Sequence, residues 1–132
     1  MEKIEVPYSG DVADIMRRAE ESKDPVEAAK LFCEAADLGD VEAWYRLGEC
    51  YEKGNGVDLD PVKGAECFRK IDERFRKAAE EGDADAQYSL GNFYYRRWFA
   101  GVAEAASEAK KWLGKAAEQG NIHAIEKLAR LP

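Results

Sequence analysis

The chain contains three copies of one segment, and this internal repeat constrains its fold more than any other feature. Residues 35–51 read AADLGDVEAWYRLGECY, residues 78–94 read AAEEGDADAQYSLGNFY, and residues 116–131 read AAEQGNIHAIEKLARL. The copies are anchored by Gly39, Gly82 and Gly120. Intervals of about 40 residues between anchors are typical of stacked helical repeats, because one such unit cannot bury its apolar face alone.

The two intervals differ in length, but they reduce to a common unit of 36 residues when two insertions are removed. Residues 68–70 read FRK and so do residues 75–77, which indicates a duplication of seven residues. A two-residue extension of the connector at 96–101 accounts for the rest. Because seven residues add about two helical turns, we expect the duplication to project about 10 Å beyond neighbouring helices. The exposed ridge of this projection is predicted to comprise Arg69, Asp72, Glu73 and Arg76.

Each repeat unit has the pattern of a helix pair. In the first copy Ala43, Leu47, Gly48 and Tyr51 are spaced so that they fall on one helical face. Gly48 and its counterpart Gly91 are predicted to permit close approach of a neighbouring helix. The composition includes 21 Ala, no Thr and only 12 Val and Ile, which favours helix over sheet. We predict an all-α fold of about seven helices, at 10–22, 25–38, 40–53, 60–81, 83–97, 103–119 and 121–130.

The length of 132 residues supports one domain, residues 1–132. It would consist of an N-terminal segment with a degenerate first helix (1–23) and repeat units 24–59, 60–101 and 102–131. Because Lys and Arg number 20 against 27 Asp and Glu, giving a net charge of −7, nucleic acid is not expected as a partner. No apolar run could span a membrane and the amino end lacks the core of a signal peptide, so a cytoplasmic protein is predicted.

The residues that usually carry chemistry are sparse. Cys33, Cys50 and Cys67 form no close pair in the sequence, so free buried thiols are expected rather than disulfides or a metal site. The chain has one His, and no phosphate loop, nucleotide fingerprint or metal-ligand spacing is present. We therefore predict no cofactor, no metal and no enzyme activity.

The repeated motifs resemble those of a known family. The pattern AxxxLGxxY, followed by GxGVxxD and KAAExG, is similar to the Sel-one-like repeat, a relative of the tetratricopeptide repeat, over residues 24–131. The resemblance implies a right-handed α-solenoid superhelix in which the first helix of each unit lines the concave side. The sequence departs from the family pattern at Gly64, where Ala is usual, and at Ala105, where Asp is usual.

The first-helix residues that packing does not use would then line a concave groove. They are Glu42, Tyr45, Glu49 and Glu52 in one unit, Asp85, Tyr88, Asn92 and Tyr95 in the next, and His123, Glu126 and Arg130 in the last. An acidic and aromatic groove suits a protein or peptide with a basic, or mixed basic and apolar, segment. The alternative is that the glutamates form an ordinary solvated face and that the tyrosines pack between helices.

Trp98 and Phe99 form a second candidate contact in the connector that departs from the family turn. Large apolar residues in a loop are predicted to dock a partner or a second copy of the chain. The alternative is that they cap the core at a turn. A monomer is expected, with a dimer through Trp98 and Phe99 as the other outcome.

These features predict a protein-interaction module that acts as an adaptor or scaffold. A small immunity or inhibitor protein that neutralises a toxin or enzyme is the alternative, because an acidic chain of this length suits basic targets. A hydrolase using Glu42 and Glu49 as paired carboxylates is the remote alternative. The sequence does not choose between the adaptor and inhibitor roles.

Overall fold

The computed structural model describes residues 11–132, which form seven α-helices and no strand. The helices are α1 (Val12–Glu21), α2 (Pro25–Asp37), α3 (Val41–Lys53), α4 (Pro61–Glu80), α5 (Ala84–Phe99), α6 (Ala105–Glu118) and α7 (Ile122–Leu128). Every predicted helix is confirmed, with described ends that agree to within about two residues. Gly10, where the first helix was predicted to begin, and the rest of the segment before residue 11 lie outside the described residues.

The helices belong to two compact units, Met1–Lys70 and Ile71–Pro132. In the first, the N-terminal unit, Ile15, Leu31 and Phe32 are buried together on α1 and α2. In the second, the C-terminal unit, Leu90 on α5 and Trp112 on α6 are buried in one cluster with Ala79 of α4. Helix α4 crosses residue 70, so its first ten residues are described with the N-terminal unit and the rest with the C-terminal unit.

One type of corner joins helices at three places, and it explains much of the repeated sequence. At the middle corner Gly82 has φ of 101°, in the left-handed region where glycine is favoured. The Asp83 N–H then donates to the Ala78 carbonyl at 3.0 Å. The Asp83 carboxylate accepts from the Ala86 N–H at 3.0 Å, which caps the next helix. The equivalent pairs are Gly39-Asp40 and Gly120-Asn121.

A side-chain hydrogen bond closes two of the three corners. Trp44 Nε1 donates to the Ala36 carbonyl at 2.9 Å, and Gln87 Nε2 donates to the Ala79 carbonyl at 3.1 Å. Trp44 and Gln87 occupy the same position of the repeat. They are different residue types, but each side chain donates an N–H. The third copy has Ile125 there, which has no N–H in its side chain and is 49% exposed. The repeat therefore keeps this contact in two copies and loses it in the last.

The predicted close approach at the two helical glycines is confirmed. A Cβ on Gly48 would lie 2.6 Å from Cε1 of Phe68, on α4. A Cβ on Gly91 would lie 2.8 Å from both Cγ and the backbone nitrogen of Leu113, on α6. Since both distances are shorter than van der Waals contact, the missing side chain is what lets each helix pair close.

The seven-residue duplication lengthens α4 as predicted, but only part of it forms an exposed ridge. Helix α4 has 20 residues and α2 has 13. Arg69 and Glu73 are exposed. The predicted exposure of Asp72 and Arg76 is wrong, because these side chains are only 19% and 32% exposed and form an ion pair that packs within the C-terminal unit.

The predicted connector position of Trp98 and Phe99 is also wrong, because α5 continues through both residues. No helix-breaking residue precedes Gly101, whose φ of 108° ends the segment in the left-handed region. The two aromatic residues thus lie in the last turn of a helix, where their direction is fixed by the helical backbone.

Candidate functional site

Both candidate contacts of the C-terminal unit lie on one stripe of α5. Asp85, Tyr88, Asn92, Tyr95 and Phe99 follow one another at offsets of three, four, three and four. This spacing places successive residues on the same side of a helix. The predicted groove stripe therefore continues into Phe99, and the two candidates form one surface.

Five aromatic rings run along this surface, and we call them the aromatic ladder. The ladder comprises His123, Tyr88, Tyr95, Trp98 and Phe99. The ring centroids of Tyr88 and His123 are 6.1 Å apart. Tyr95 is 5.7 Å from Trp98 and 6.5 Å from Phe99, with the latter pair nearly parallel at 27°. Pairs at such distances add about 0.5–1.5 kcal/mol beyond the burial of their area.

Lys127, on α7, contacts both tyrosines of the ladder. Lys127 Nζ donates to the Tyr88 hydroxyl at 2.8 Å. The same ammonium lies 5.2 Å from the Tyr88 ring centroid and 5.7 Å from that of Tyr95. A cation over an aromatic ring was the contact expected from a partner, and here α7 supplies it. Lys127 thereby fastens α7 to α5.

Exposure within the ladder is lowest at Tyr95 and increases from there to the end of α5. Tyr95 is 8% exposed, so it packs in the core, as in the alternative interpretation, and does not line an open groove. Trp98 is half-buried and packs against the core cluster that contains Tyr95 and Leu113. Phe99, the last residue of α5, is 77% exposed.

Polar residues flank the ladder on both helices. Asp85 is exposed and Asn92 is half-buried on α5. On α7, His123 and Glu126 are 76% and 63% exposed, with His123 Nδ1 3.7 Å from a Glu126 oxygen, a contact that becomes an ion pair only when His123 is protonated. Arg130, just beyond α7, is exposed as well. These are the accessible members of the predicted site in the C-terminal unit.

The matching stripe of the N-terminal unit lies on α3 and is less aromatic than predicted. Tyr45 is 3% exposed and its ring centroid is 5.4 Å from that of Phe68, so it is a packing residue and not a groove residue. Phe68 reaches this place because Gly48 leaves room for it. Glu42 and Glu49 are half-buried and Glu52 is exposed.

Glu49 borders a shallow polar cleft of about 230 Å³ with Phe32, Arg46 and Lys53. Arg46 lies between two carboxylates, 3.2 Å from Glu20 and 4.0 Å from Glu49, with its guanidinium 4.9 Å from the centroid of the Phe32 ring. The Arg46 charge in this cleft is therefore largely neutralised within the chain.

Sequence reasoning missed a polar network in the C-terminal unit. Arg76 bonds to Asp72 at 2.7 Å and to Glu108 at 3.0 Å, while the Tyr94 hydroxyl donates to Asp72. Trp112 Nε1 donates to Glu108 at 3.2 Å. The network ties α4, α5 and α6 together and uses Asp72 and Arg76, two residues of the predicted ridge.

The network shifts the ionisation of its members. The hydrogen bond from Arg76 holds the pKa of Asp72 below its ordinary value, an effect that burial partly opposes. Burial and the hydrogen bond to Asp72 raise the pKa of Tyr94 to about 12. The lowered pKa of Asp72 and the raised pKa of Tyr94 both favour the arrangement in which a protonated Tyr94 donates to an ionised Asp72.

The three cysteines are evenly spaced in the sequence and belong to the same core of the N-terminal unit. Cys50 and Cys67 are buried, Cys33 is half-buried, and all three are free thiols. Burial raises the pKa of each, which keeps the thiols protonated near neutral pH. Among residues 11–132, no group of His, Cys, Asp and Glu side chains is placed to hold a metal ion. Within this same range no helix is both long and apolar enough to cross a bilayer.

Known proteins match the chain in its repeat and its fold. A crystal structure of a Sel1 repeat protein from Oxalobacter formigenes has 24% identity and a TM-score of 0.51, covering 93% of this chain and 50% of that one. A second, of c5321, a protective antigen of uropathogenic Escherichia coli strains displaying an SLR fold, has 30% identity and a TM-score of 0.49, covering 91% and 26%. The chain thus spans half or less of these proteins. No curated protein sequence matches it.

The family model of the Sel1 repeat matches residues 19–40, 41–71, 75–83 and 84–121, about three quarters of the chain. Its only break within α4 leaves out residues 72–74, inside the predicted insertion. The match and the likeness to the Oxalobacter formigenes structure confirm the predicted fold class, an all-α solenoid of repeats. The chain belongs to the Sel1 repeat family, whose general role is protein–protein interaction.

Proposed function

We propose that the chain binds a segment of a partner protein along the α5–α7 face of its C-terminal unit, as an adaptor or scaffold. The observation that carries this proposal is that Phe99 is 77% exposed. It lies at the end of the ladder, next to Tyr95 and Trp98. Exposed aromatic residues held rigidly by neighbours are common energetic centres of protein interfaces. The rings of Tyr95 and Trp98 lie beside that of Phe99, with centroids 6.5 and 6.4 Å away, so a partner would pack on the open side of the Phe99 ring.

The chemistry of this face defines the partner segment. An apolar or aromatic side chain of the partner would pack against Phe99 and Trp98, while a Lys or Arg would pair with Asp85 or Glu126. The helical rise places Asp85 and Phe99 about 21 Å apart along α5. An extended segment of about six or seven residues covers that length. The net charge of −7 would speed the approach of a basic segment.

The acidic stripe of α3 is proposed as a separate contact surface. Glu42, Glu49 and Glu52 occupy the repeat positions that Asp85, Asn92 and Tyr95 occupy on α5. Without an accessible aromatic residue, this stripe would contribute electrostatic attraction more than affinity.

The proposal is tested by affinity purification from the native cell. Tagged wild-type protein is compared with Phe99→Ala and with Leu59→Ala, a matched control because Leu59 is also highly exposed, at 63%, but lies in the N-terminal unit. Loss of a central aromatic contact should reduce recovery of the partner about tenfold or more. Leu59→Ala should recover it as the wild type does. Equal recovery with Phe99→Ala, when circular dichroism shows the variant folded, would exclude the ladder as the contact.

A further inference from the structure

The N-terminal unit has a second, apolar cleft, away from the stripe of α3. It has a volume of about 240 Å³ and lies between α2, α3 and the connector that follows α3. Val26, Ala29, Leu47 and Val57 form its apolar lining. Val26 is nevertheless 59% exposed, so the apolar surface of the cleft continues outward onto α2.

A glycine shapes one wall of this cleft. Gly56 has φ of 79°, and a Cβ there would lie 2.1 Å from the carbonyl oxygen of Pro25. No other residue allows the connector to approach the start of α2 so closely. The close contact holds Val57 against the cleft, so the wall is a fixed part of the fold.

Positive charge borders the apolar lining. Lys30 lines the cleft on α2, and Lys63 Nζ lies 5.7 Å from the ring centroid of Tyr51, which also lines it. Carboxylates also lie near this region. Asp37 and Glu34 raise the pKa of Cys33, though less than burial does. Asp60 raises the pKa of Tyr51, again less than burial does. None of these acidic residues lines the cleft. In a chain with a net charge of −7, an apolar cleft lined by a lysine and by no carboxylate is complementary to an acidic and apolar group.

We infer that this cleft is a docking site for a partner-protein segment in which a large apolar side chain is followed by a carboxylate. The cavity is smaller than typical small-molecule sites, whose volumes begin at about 300 Å³, so it fits a single side chain. The apolar side chain would cover Val26 and Leu47, and the carboxylate would pair with Lys30. This inference does not rest on the proposed function, because the ladder belongs to the C-terminal unit and prefers a basic partner.

Cys33 provides a reporter within the site, since it is half-buried and lines the cleft. Three peptides, Cys-Gly-Leu-Glu, Cys-Gly-Leu-Lys and Cys-Gly-Ser-Glu, are supplied as mixed disulfides with 2-mercaptoethanol. In the exchange the Cys33 thiolate attacks the peptide sulfur, a new disulfide joins Cys33 to the peptide, and 2-mercaptoethanol leaves as its thiolate and takes up a proton. The raised pKa of Cys33 slows all three reactions equally, so the equilibrium amounts of the three adducts are compared by intact mass.

The peptide with both Leu and Glu should be captured most. Exchanging its Glu for Lys should lower capture about two- to fivefold, the range for an exposed ion pair. Exchanging its Leu for Ser should lower capture about fivefold or more. Equal capture of the three peptides, or adducts that map to Cys50 or Cys67 and not to Cys33, would overturn the inference.

A pair of variants separates the rim charge from general charge effects. Lys30→Glu should reverse the preference between the Glu and Lys peptides. Lys77→Glu makes the same charge change at an exposed position of α4 in the C-terminal unit and should leave the preference unchanged. If Lys30→Glu, folded by circular dichroism, keeps the wild-type preference, the carboxylate of the partner does not bind where proposed.

Discussion

At the scale of single residues, one helical glycine in each unit lies where an added side chain would clash with a neighbouring helix. Gly48 and Gly91 occupy the same repeat position, yet their neighbours differ in how far they can move. Gly48 faces the edge of the Phe68 ring, which can rotate, whereas Gly91 also faces the backbone nitrogen of Leu113. Added volume is therefore accommodated less easily at Gly91.

Gly91→Ala is expected to lower the free energy of unfolding by about 1–3 kcal/mol, the usual cost of overpacking. The control is Gly114→Ala in α6, where an added Cβ meets nothing within 4 Å. Since alanine is a better helix former, that change should raise the free energy of unfolding by about 0.5–1 kcal/mol. Urea unfolding of both variants measures the two effects. A destabilised Gly114→Ala, or an unaffected Gly91→Ala, would contradict this description of the packing.

Residue types alone did not distinguish accessible from buried members of the predicted site. The α5 stripe and its spacing followed from the sequence, but the sequence left open whether Trp98 and Phe99 dock a partner or cap the core. The burial of Tyr45 depends on Phe68, which lies on the following helix. The hydroxyl of Tyr88 accepts a hydrogen bond from Lys127, which lies on another helix. Such contacts between distant residues leave no periodic signal in the sequence, so only the positions of these side chains were predictable.

At the scale of the elements, the α4 insertion shows how a duplication becomes part of the packing. Its two copies of phenylalanine serve different units. Phe68 packs over Gly48 in the N-terminal unit, while Phe75 packs against the cluster that contains Leu90 and Trp112 in the C-terminal unit. Between them, Ile71 is 2% exposed.

Deletion of residues 68–74 restores a 36-residue repeat but leaves one phenylalanine for two places. We expect the shortened chain to remain helical and to lose about 3 kcal/mol or more of stability, since the deletion removes the buried Ile71 together with one half-buried Phe. The melting temperature, followed by circular dichroism, should fall by about 10 °C. Lys70→Ala changes an exposed residue of the same segment and should shift it by no more than about 2 °C. An unchanged melting temperature after the deletion would mean that the insertion is a tolerated extension only.

The polar network around Asp72 gives the C-terminal unit a stability that depends on pH. The pKa of Tyr94 is raised to about 12 from the value near 10 of an unfolded tyrosine. Between these values the unfolded state has lost a proton that the folded state keeps, so stability falls as the pH rises. Below pH 10 the contribution of Tyr94 is complete.

Tyr94→Phe should therefore lower the free energy of unfolding at pH 7 by about 1–3 kcal/mol, as expected for a lost hydrogen bond to a charged group. The difference between wild type and variant should shrink as the pH rises from 10 to 12, as measured by urea unfolding across that range. A constant difference over that range would show that Tyr94 does not ionise differently in the two states.

Helix identity and helix ends were predicted well because the local signals were strong. A glycine past the helix end and an Asp or Asn cap mark each corner of the repeated sequence. The end of α5 was misplaced because the connector was defined by comparison with another repeat. Its own residues contain no breaker before Gly101, and the helix continues.

At the scale of the whole molecule, the repeat accounts for both the fold class and the family. It explains why helix pairs with small apolar faces can be stable, because each pair is covered by its neighbours. It does not identify the partner, since the residues that face a partner are those that the repeat leaves free to vary. We therefore expect departures from the repeat to carry the function, and Phe99, at 77%, is the most exposed large apolar side chain in residues 11–132.

The central claim, that a partner binds at the end of the aromatic ladder, is tested most directly by photo-crosslinking in the native cell. The photoreactive residue p-benzoylphenylalanine is placed at position 99 in one protein and at position 59 in another, where Leu59 is 63% exposed in the N-terminal unit. We predict a discrete adduct with a partner protein from position 99, at least tenfold stronger than any from position 59. An adduct of equal yield from both positions, or none from position 99, would contradict the claim.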